Sequence, residues 1–175
     1  MTGVVTPIRF AHAVFRTARF DEMKAWYQTV LGAHVVHGNP MIAFLTYDDE
    51  HHRIAIVHTP GAPDRAEGAT GLEHIAYTYA TLGDLLGTYQ RLKAAGVTPY
   101  WTINHGPTTS MYYRDPDRNQ VELQVDNFPT VAELNAWFQS GAFARNPIGV
   151  TFDADELVRR YESGVPVETL VQRAD

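Results

Sequence analysis

The order of secondary-structure signals in this sequence occurs twice, and this repeat constrains the fold more than any other feature. A strand-like segment at residues 9–16 is followed by a helical pattern at residues 21–31 and by three short strand-like segments. The same order returns in residues 72–125, where His74 lies 62 positions after His12. At this offset Phe15 meets Tyr77, Met23 meets Leu85, Tyr27 meets Tyr89 and Gln28 meets Gln90. Two βαβββ modules are the simplest fold that explains the repeat.

The module boundaries follow from apolar periodicity and from turn residues. Each predicted helix ends at a glycine, Gly32 or Gly96, as helices commonly do. We therefore predict an α+β chain of one domain, with a first module at residues 8–58, a second at 71–127 and an extension at 128–175. Within the extension, three segments have helical spacing and no counterpart in the repeat: residues 131–139, 154–163 and 166–172. We interpret them as a C-terminal helical cap over the sheets.

Composition excludes several classes of protein. The sequence contains no cysteine, which excludes disulfides, thiolate metal ligands and cysteine nucleophiles. Fourteen basic residues against 20 acidic residues give a formal net charge of −6, which argues against a nucleic-acid-binding surface. The apolar runs are short, residues 41–45 being typical, so we expect no membrane span. The sequence opens without a recognisable export signal, so we expect a cytoplasmic protein.

Three residues, His12, His74 and Glu122, form a candidate metal site. Successive strand residues point to opposite faces, so Glu122 faces away from its apolar neighbours Val121 and Leu123. A carboxylate on the concave face of a sheet is costly unless it is paired or bound to a metal. A single strand histidine is more often a hydrogen-bonded core residue, but His12 and His74 occupy equivalent positions in the two modules. Non-haem iron(II) oxygenases bind their metal with two imidazoles and one carboxylate and leave the other coordination positions of the metal open.

Three segments carry a resemblance to a known family: residues 10–15 (FAHAVF), 71–77 (GLEHIAY) and 111–122 (MYYRDPDRNQVE). They are similar to the vicinal oxygen chelate superfamily and most resemble its type I extradiol dioxygenases, of the catechol and 2,3-dihydroxybiphenyl kind, in a one-domain form. The resemblance covers about residues 9–127, and the last segment is its most specific part. It implies paired βαβββ modules around one metal, Fe(II) or alternatively Mn(II), with His12, His74 and Glu122 as the ligands.

The resemblance also implies three catalytic residues near the metal. His52, in the segment HHRIA, matches the acid–base histidine of the family, and Tyr112, ten residues before Glu122, matches the tyrosine that hydrogen-bonds the substrate oxygen. His105 resembles the histidine beside the ring-cleavage site, although the stretch from His105 to Tyr112 is shorter than in longer relatives. Histidine exchanges protons near neutral pH, and a tyrosine hydroxyl both donates and accepts hydrogen bonds. From the residues alone, His51 and His52 could equally be a solvated turn pair, and His105 an ordinary loop histidine.

The activity expected from this resemblance is cleavage of a catechol ring, such as that of 2,3-dihydroxybiphenyl, with O2 in the degradation of aromatic compounds. The expected partners are a catecholic small molecule and O2. We expect no binding to nucleic acid or to a membrane, and we expect a homo-oligomer. Because one fold hosts several activities, a glyoxalase-like metal-dependent lyase or isomerase and a non-catalytic small-molecule-binding protein are the alternatives. The lyase has a fourth protein ligand in its first module, whereas residues 54–57 (IAIV) offer none. The binding proteins of this fold generally lack the metal triad.

Overall fold

The computed structural model of the chain describes residues 3–66 and 68–174. The strands, in chain order, are β1 (Ala13–Thr17), β2 (His34–Asn39), β3 (Ile42–Thr46), β4 (Ile54–His58), β5 (His74–Thr78), β6 (Trp101–Asn104), β7 (Thr108–Arg114), β8 (Gln120–Asp126) and β9 (Val150–Thr151). The helices are α1 (Phe20–Leu31), α2 (Leu82–Ala94), α3 (Val131–Gln139), α4 (Ala142–Arg145), α5 (Ala154–Glu162) and α6 (Val167–Leu170). The chain divides into two compact units. The first contains the described residues up to Ala69 together with Asp115–Arg118, and the second contains the remaining described residues.

The first unit is a four-stranded sheet with one helix on it. The strand order is β1-β4-β3-β2, with β1 parallel to β4 and the other neighbours antiparallel. Gly32 ends α1 in the left-handed conformation, with a φ of 65° that glycine adopts without steric cost. The Phe15 ring of β1 stacks on the Tyr27 ring of α1 at a centroid distance of 5.2 Å. The apolar stripe of α1 is buried and has the spacing of one helix face: Phe20, Met23, Tyr27 and Val30.

The second unit repeats this arrangement and extends it. Its strand order is β5-β8-β7-β6-β9, with β5 parallel to β8. Helix α2 begins after Thr81, whose side chain accepts a hydrogen bond from the amide of Asp84. The buried residues of α2 again form one stripe: Leu82, Leu85, Leu86, Tyr89 and Leu92. The βαβββ order therefore occurs in both units, which confirms the predicted α+β class and the paired modules.

The turn between β7 and β8 belongs to the first unit rather than to the second. Asp117 accepts a hydrogen bond from Arg19 at 2.8 Å, and the buried Asp115 accepts one from the Tyr27 hydroxyl at 3.1 Å. Arg118 completes the turn with a positive φ of 65°. The predicted second module, residues 71–127, therefore includes a short segment that folds with the first unit.

The C-terminal residues form helices and one additional strand within the second unit. Helices α3, α5 and α6 arise in the three segments with helical spacing, whereas α4 and β9 have no such sequence signal. Strand β9 pairs with β6 through Thr151 and Ile103, and Asp155 of α5 accepts hydrogen bonds from Lys93 and Tyr89 of α2. The extension thus lengthens the sheet and packs on α2; that it caps both sheets stays a prediction. None of these helices, nor any other in the described part of the chain, has the length and apolar character needed to cross a membrane.

The first strand begins later than its apolar pattern predicts. The pattern predicts a strand at residues 9–16, but β1 starts at Ala13, immediately after His12. The prediction that all three candidate ligands lie in strands is therefore wrong for His12 and right for His74 and Glu122. The reason is that β4, the partner of β1, starts only opposite Ala13. Before that point the backbone binds a side chain, that of Arg53, instead of a neighbouring strand.

Candidate functional site

In each unit, one face of the sheet packs against the helix, and we call the opposite face the site face. On β7, Tyr113 is buried on the side of α2, close enough to Tyr89 of that helix for Tyr89 to raise its pKa. Its neighbour Tyr112 therefore points to the site face. The strand register pairs Tyr112 with Glu122 and Glu122 with Ala76 of β5, so these side chains share the site face. His74 lies two residues before Ala76 in β5 and shares this face as well.

His74 and Glu122 form a close pair on the site face. The His74 Nε2 atom lies 3.0 Å from a carboxylate oxygen of Glu122, whose side chain is only 6% exposed. A buried carboxylate needs a hydrogen-bond donor, an opposite charge or a metal to offset its desolvation. Imidazole nitrogen and carboxylate oxygen are also donors that iron(II) binds. The pair therefore fits two of the three expected ligands, while residues 3–66 and 68–174 contain no group of three such side chains close enough to hold a metal by themselves.

Tyr112 lies next to this pair and is buried. Its ring meets the His74 ring edge-on at a centroid distance of 5.5 Å and stacks on the Trp101 ring at 4.9 Å. Burial raises the pKa of Tyr112, and the negative charge of Glu122 raises it further, so the hydroxyl keeps its proton at neutral pH. Tyr113 has a raised pKa as well, because it is buried in the core. Of the two adjacent tyrosines, Tyr112 is therefore the one beside the candidate ligands.

His105 follows β6 directly and contacts Tyr112. Its Nε2 atom lies 3.0 Å from the Tyr112 hydroxyl, and its Nδ1 atom lies 2.5 Å from the backbone oxygen of Ile148. The His105 ring also meets the Trp101 ring edge-on at 5.8 Å. The second unit thus brings four of the six candidate residues into one connected cluster, in which each side chain contacts the next.

The first unit brings the other two candidates together. The ring centroids of His12 and His52 lie 4.3 Å apart, and the His52 ring lies 4.5 Å from the ring of Phe44. Phe44 pairs with Ala55, and Ala55 pairs with Val14, so Phe44 projects from the face opposite Phe15 and α1. His12 and His52 therefore lie on the site face of the first unit.

His51 and His52 differ in their surroundings, which favours His52 as the candidate for proton transfer. His51 is exposed, whereas His52 is half-buried between His12 and Phe44, although the two Nδ1 atoms are only 2.6 Å apart. Burial lowers the pKa of His52, and the imidazoles of His12 and His51 lower it further, while the carboxylate of Glu50 opposes them. A lowered pKa favours the neutral ring, which is the form that accepts a proton at neutral pH. The catalytic role of His52 stays a prediction.

Arg53 holds the backbone before His12, a role that the sequence does not signal. Its Nη1 atom donates to the carbonyl oxygens of residues 10–11 at 2.6 and 3.1 Å, and its Nε atom donates to Asp48 at 3.0 Å. The hydrogen bond to Asp48 keeps the pKa of Arg53 above its ordinary value. The side chain thereby joins the segment that ends at His12 to the turn that carries His52. Because the bonds to backbone oxygens can be made to any residue type, no sequence motif marks them.

Comparison with known proteins places the chain in a family. A family model for the Glyoxalase/Bleomycin resistance protein/Dioxygenase superfamily matches residues 9–123. The chain belongs to this superfamily. It is 47% identical over 167 residues to "Biphenyl-2,3-diol 1,2-dioxygenase 2" of Rhodococcus globerulus, covering 95% of this chain and 88% of that protein. It is 46% identical over 172 residues to "Biphenyl-2,3-diol 1,2-dioxygenase 3" of the same organism, covering 97% and 90%.

The solved structures agree with the superfamily fold. A crystal structure of lactoylglutathione lyase from Agrobacterium tumefaciens superposes with a TM-score of 0.55, covering 68% of this chain and 94% of that chain. The sequence identity between the two is 19%, so this likeness shows the fold alone. Together with the family model, these comparisons confirm the family predicted from the three sequence segments.

Replacing Arg53 tests whether its contacts matter for the metal. Because His12 is predicted to bind iron(II), Arg53→Met is expected to weaken iron(II) binding roughly 10- to 100-fold, the usual effect of losing a residue that orients a ligand. Without the guanidinium, the segment that ends at His12 loses both hydrogen bonds to its carbonyl oxygens. Iron affinity can be measured by competition with a chelator, with the exposed Arg160→Met as the matched control. Equal iron affinity in the Arg53 variant and the parent would contradict this role.

Proposed function

We propose that the protein uses iron(II) to open the aromatic ring of a catechol such as 2,3-dihydroxybiphenyl. The class of enzyme rests on the two relatives that are 46–47% identical over nearly the whole chain and are biphenyl-2,3-diol 1,2-dioxygenases by name. The chain is therefore an extradiol ring-cleaving dioxygenase. The metal, the substrate and the roles of individual residues are our proposal, and the cytoplasmic location and the homo-oligomer stay predictions.

The observation that carries the proposal is the buried carboxylate of Glu122 beside His74. We assign these two residues and His12 as the metal ligands. His12 immediately precedes β1, and His74 begins β5, the equivalent strand of the repeat. Iron(II) at these donors would supply a common binding site for catechol and O2 and a path for electrons between them. Manganese(II) accepts the same oxygen and nitrogen donors and is the alternative metal.

The other three residues would handle protons and orient the substrate. His52, half-buried and with a lowered pKa, is suited to take a proton from a catechol hydroxyl and to return it later as an acid. The Tyr112 hydroxyl, which keeps its proton at neutral pH, would hydrogen-bond a substrate oxygen. His105 contacts that hydroxyl and would hold it in position. Trp101, stacked on Tyr112, excludes water from one side of this group.

Strand β4, which is described in full, carries no fourth protein ligand of the kind expected for a glyoxalase-like lyase. On β4, the site face carries Ala55 and Val57, which cannot bind a metal. His58 pairs with Thr17 and stacks on Phe20 of α1 at 5.4 Å, so it lies on the helix side. A shell of three protein ligands leaves positions for both catechol oxygens and for O2, as the dioxygenase reaction requires.

Oxygen consumption tests the reaction directly. The protein loaded with iron(II) under anaerobic conditions should consume O2 when a catechol is added and should form a yellow ring-fission product. A panel of catechols that includes 2,3-dihydroxybiphenyl would identify the preferred ring substituent. Isomerisation of a glutathione hemithioacetal without O2, and no oxygen uptake on any catechol, would contradict the proposal and support a lyase.

A pair of histidine variants tests the acid–base assignment. His52→Gln should keep its iron and still bind catechol, but its turnover should fall roughly 10²- to 10⁴-fold, the usual contribution of a positioned proton-transfer group. His51→Gln is the matched control and should have little effect, because His51 is exposed. Stopped-flow mixing of the substrate complex with O2 should place the His52→Gln defect after catechol binding. Loss of iron from His52→Gln, or turnover equal to the parent, would refute the assignment.

A further inference from the structure

The loop that carries His105 is fixed by residues from the C-terminal extension. The side-chain amide of the buried Asn104 donates to the backbone oxygen of Val171 at 2.8 Å, and its side-chain oxygen accepts from the amide of Gly106 at 2.8 Å. Gly106 has a positive φ of 102° and lies against the ring of Trp137, which leaves no room for a side chain. The backbone on both sides of His105 is therefore held in one path.

A turn at residues 146–149 presents one backbone oxygen to the His105 ring. The side-chain oxygen of Asn146 accepts hydrogen bonds from the amides of Ile148 and Gly149 at 3.2 and 2.8 Å, and its side-chain amide donates to the Gly149 oxygen at 2.9 Å. A side chain at Gly149 would collide with the backbone oxygen of Asn104. Fixed in this way, the turn places the Ile148 oxygen 2.5 Å from the Nδ1 atom of His105.

Arg173 connects this turn to the His105 loop. Its Nη1 atom donates to the backbone oxygens of His105 and Asn146 at 3.1 and 2.8 Å, and its Nη2 atom donates to that of Ala142 at 3.0 Å. The guanidinium also lies over the ring of Trp137, 5.1 Å from its centroid. One side chain near the C-terminus therefore holds the backbone of the loop and the backbone of the turn together.

The Ile148 oxygen determines which nitrogen of His105 carries the proton. A backbone oxygen only accepts hydrogen bonds, so Nδ1 must be the protonated nitrogen. In the neutral ring Nε2 is then an acceptor, and the Tyr112 hydroxyl, 3.0 Å away, must be the donor. With its proton directed to His105, the Tyr112 oxygen keeps its lone pairs to accept a hydrogen bond from a substrate hydroxyl.

We infer that the turn at residues 146–149 and Arg173 position His105 in its Nδ1-protonated form and thereby direct the Tyr112 hydroxyl. This inference rests on the proposed function, in which Tyr112 and His105 face the substrate. It extends the site to the C-terminal extension, which lies outside the repeat. Asn146 and Arg173 are positioning residues, because they contact the turn and the loop but not the reacting groups.

Glu122 competes with His105 as the acceptor of the Tyr112 hydroxyl proton. Its carboxylate also lies within hydrogen-bond distance of the Tyr112 hydroxyl and can accept its proton. The two arrangements differ in a way that can be observed. If the Tyr112 proton pointed to Glu122, the His105 Nε2 atom would have to carry a proton to bind the Tyr112 oxygen. The His105 ring would then be doubly protonated, or its bond to Ile148 would be lost. The form of the His105 ring therefore distinguishes the two arrangements.

Nitrogen-15 NMR of the metal-free protein reads this form, because protonated and bare ring nitrogens resonate at different frequencies. The ring-nitrogen signals of His105 are assigned as those that are missing from the spectrum of the His105→Gln variant. In the parent protein we expect Nδ1 to be protonated and Nε2 to be bare. A parent protein with a protonated Nε2 would overturn the inference. Since this measurement requires neither iron nor O2, it decides the inference separately from the proposed function.

Substitutions at the two positioning residues test the cause. Arg173→Gln and Asn146→Ala should produce a mixture of His105 ring forms and lower kcat roughly 10- to 100-fold, with iron content and KM for catechol unchanged. Asn146→Asp keeps an oxygen that accepts from both amides of the turn, so it should restore the parent ring form and most of the turnover. It also provides the comparison if Asn146→Ala does not fold.

The matched controls are Arg160→Gln and Asn135→Ala, both at exposed helix positions. They should match the parent protein in ring form and in kcat. A merely structural role would lower the melting temperature without changing the His105 ring form. Arg173→Gln and Asn146→Ala variants that keep the Nδ1-protonated form, or that lose it with full turnover, would overturn the inference.

Discussion

The candidate site depends on the burial of one carboxylate. Glu122 lies in the middle of a sheet with its side chain almost inaccessible to water, and such a group is stable only with a partner. His74 on the edge strand provides that partner at 3.0 Å, and Tyr112 and His105 complete a chain of polar contacts on the same face. In the proposed site, His74 and Glu122 would both bind the metal in place of their hydrogen bond to each other.

Much of the fold could be predicted from the sequence, because the apolar pattern occurs twice with the same period. The pattern identifies α1 to within a residue at each end and marks the end of α2, and it separates the strand faces that pack on helices from those that do not. It does not identify β9, which is two residues long and exists because β6 offers an unpaired edge. It also does not reveal that Asp115 and Asp117 fold with the first unit, because their partners, Tyr27 and Arg19, are distant in sequence.

The candidate site, like the fold, could be predicted from the sequence only in part. Strand alternation is sufficient to place Glu122 on the face opposite the core, and the structure gives Tyr112 and His105 a direct contact that the sequence could not establish. The residues that hold the candidates in place were not predictable. Arg53, Asn146 and Arg173 act mainly on backbone oxygens and amides, which every residue type provides, so their roles depend on the folded path of the chain.

We propose that His12, His74 and Glu122 together hold one metal ion. X-ray diffraction from crystals of the iron-loaded protein, recorded on both sides of the iron absorption edge, locates iron without reference to activity. We expect a single iron peak within bonding distance of His74 Nε2, a Glu122 carboxylate oxygen and a ring nitrogen of His12. An iron peak elsewhere, or one bound by His52 in place of His12, would contradict this proposal.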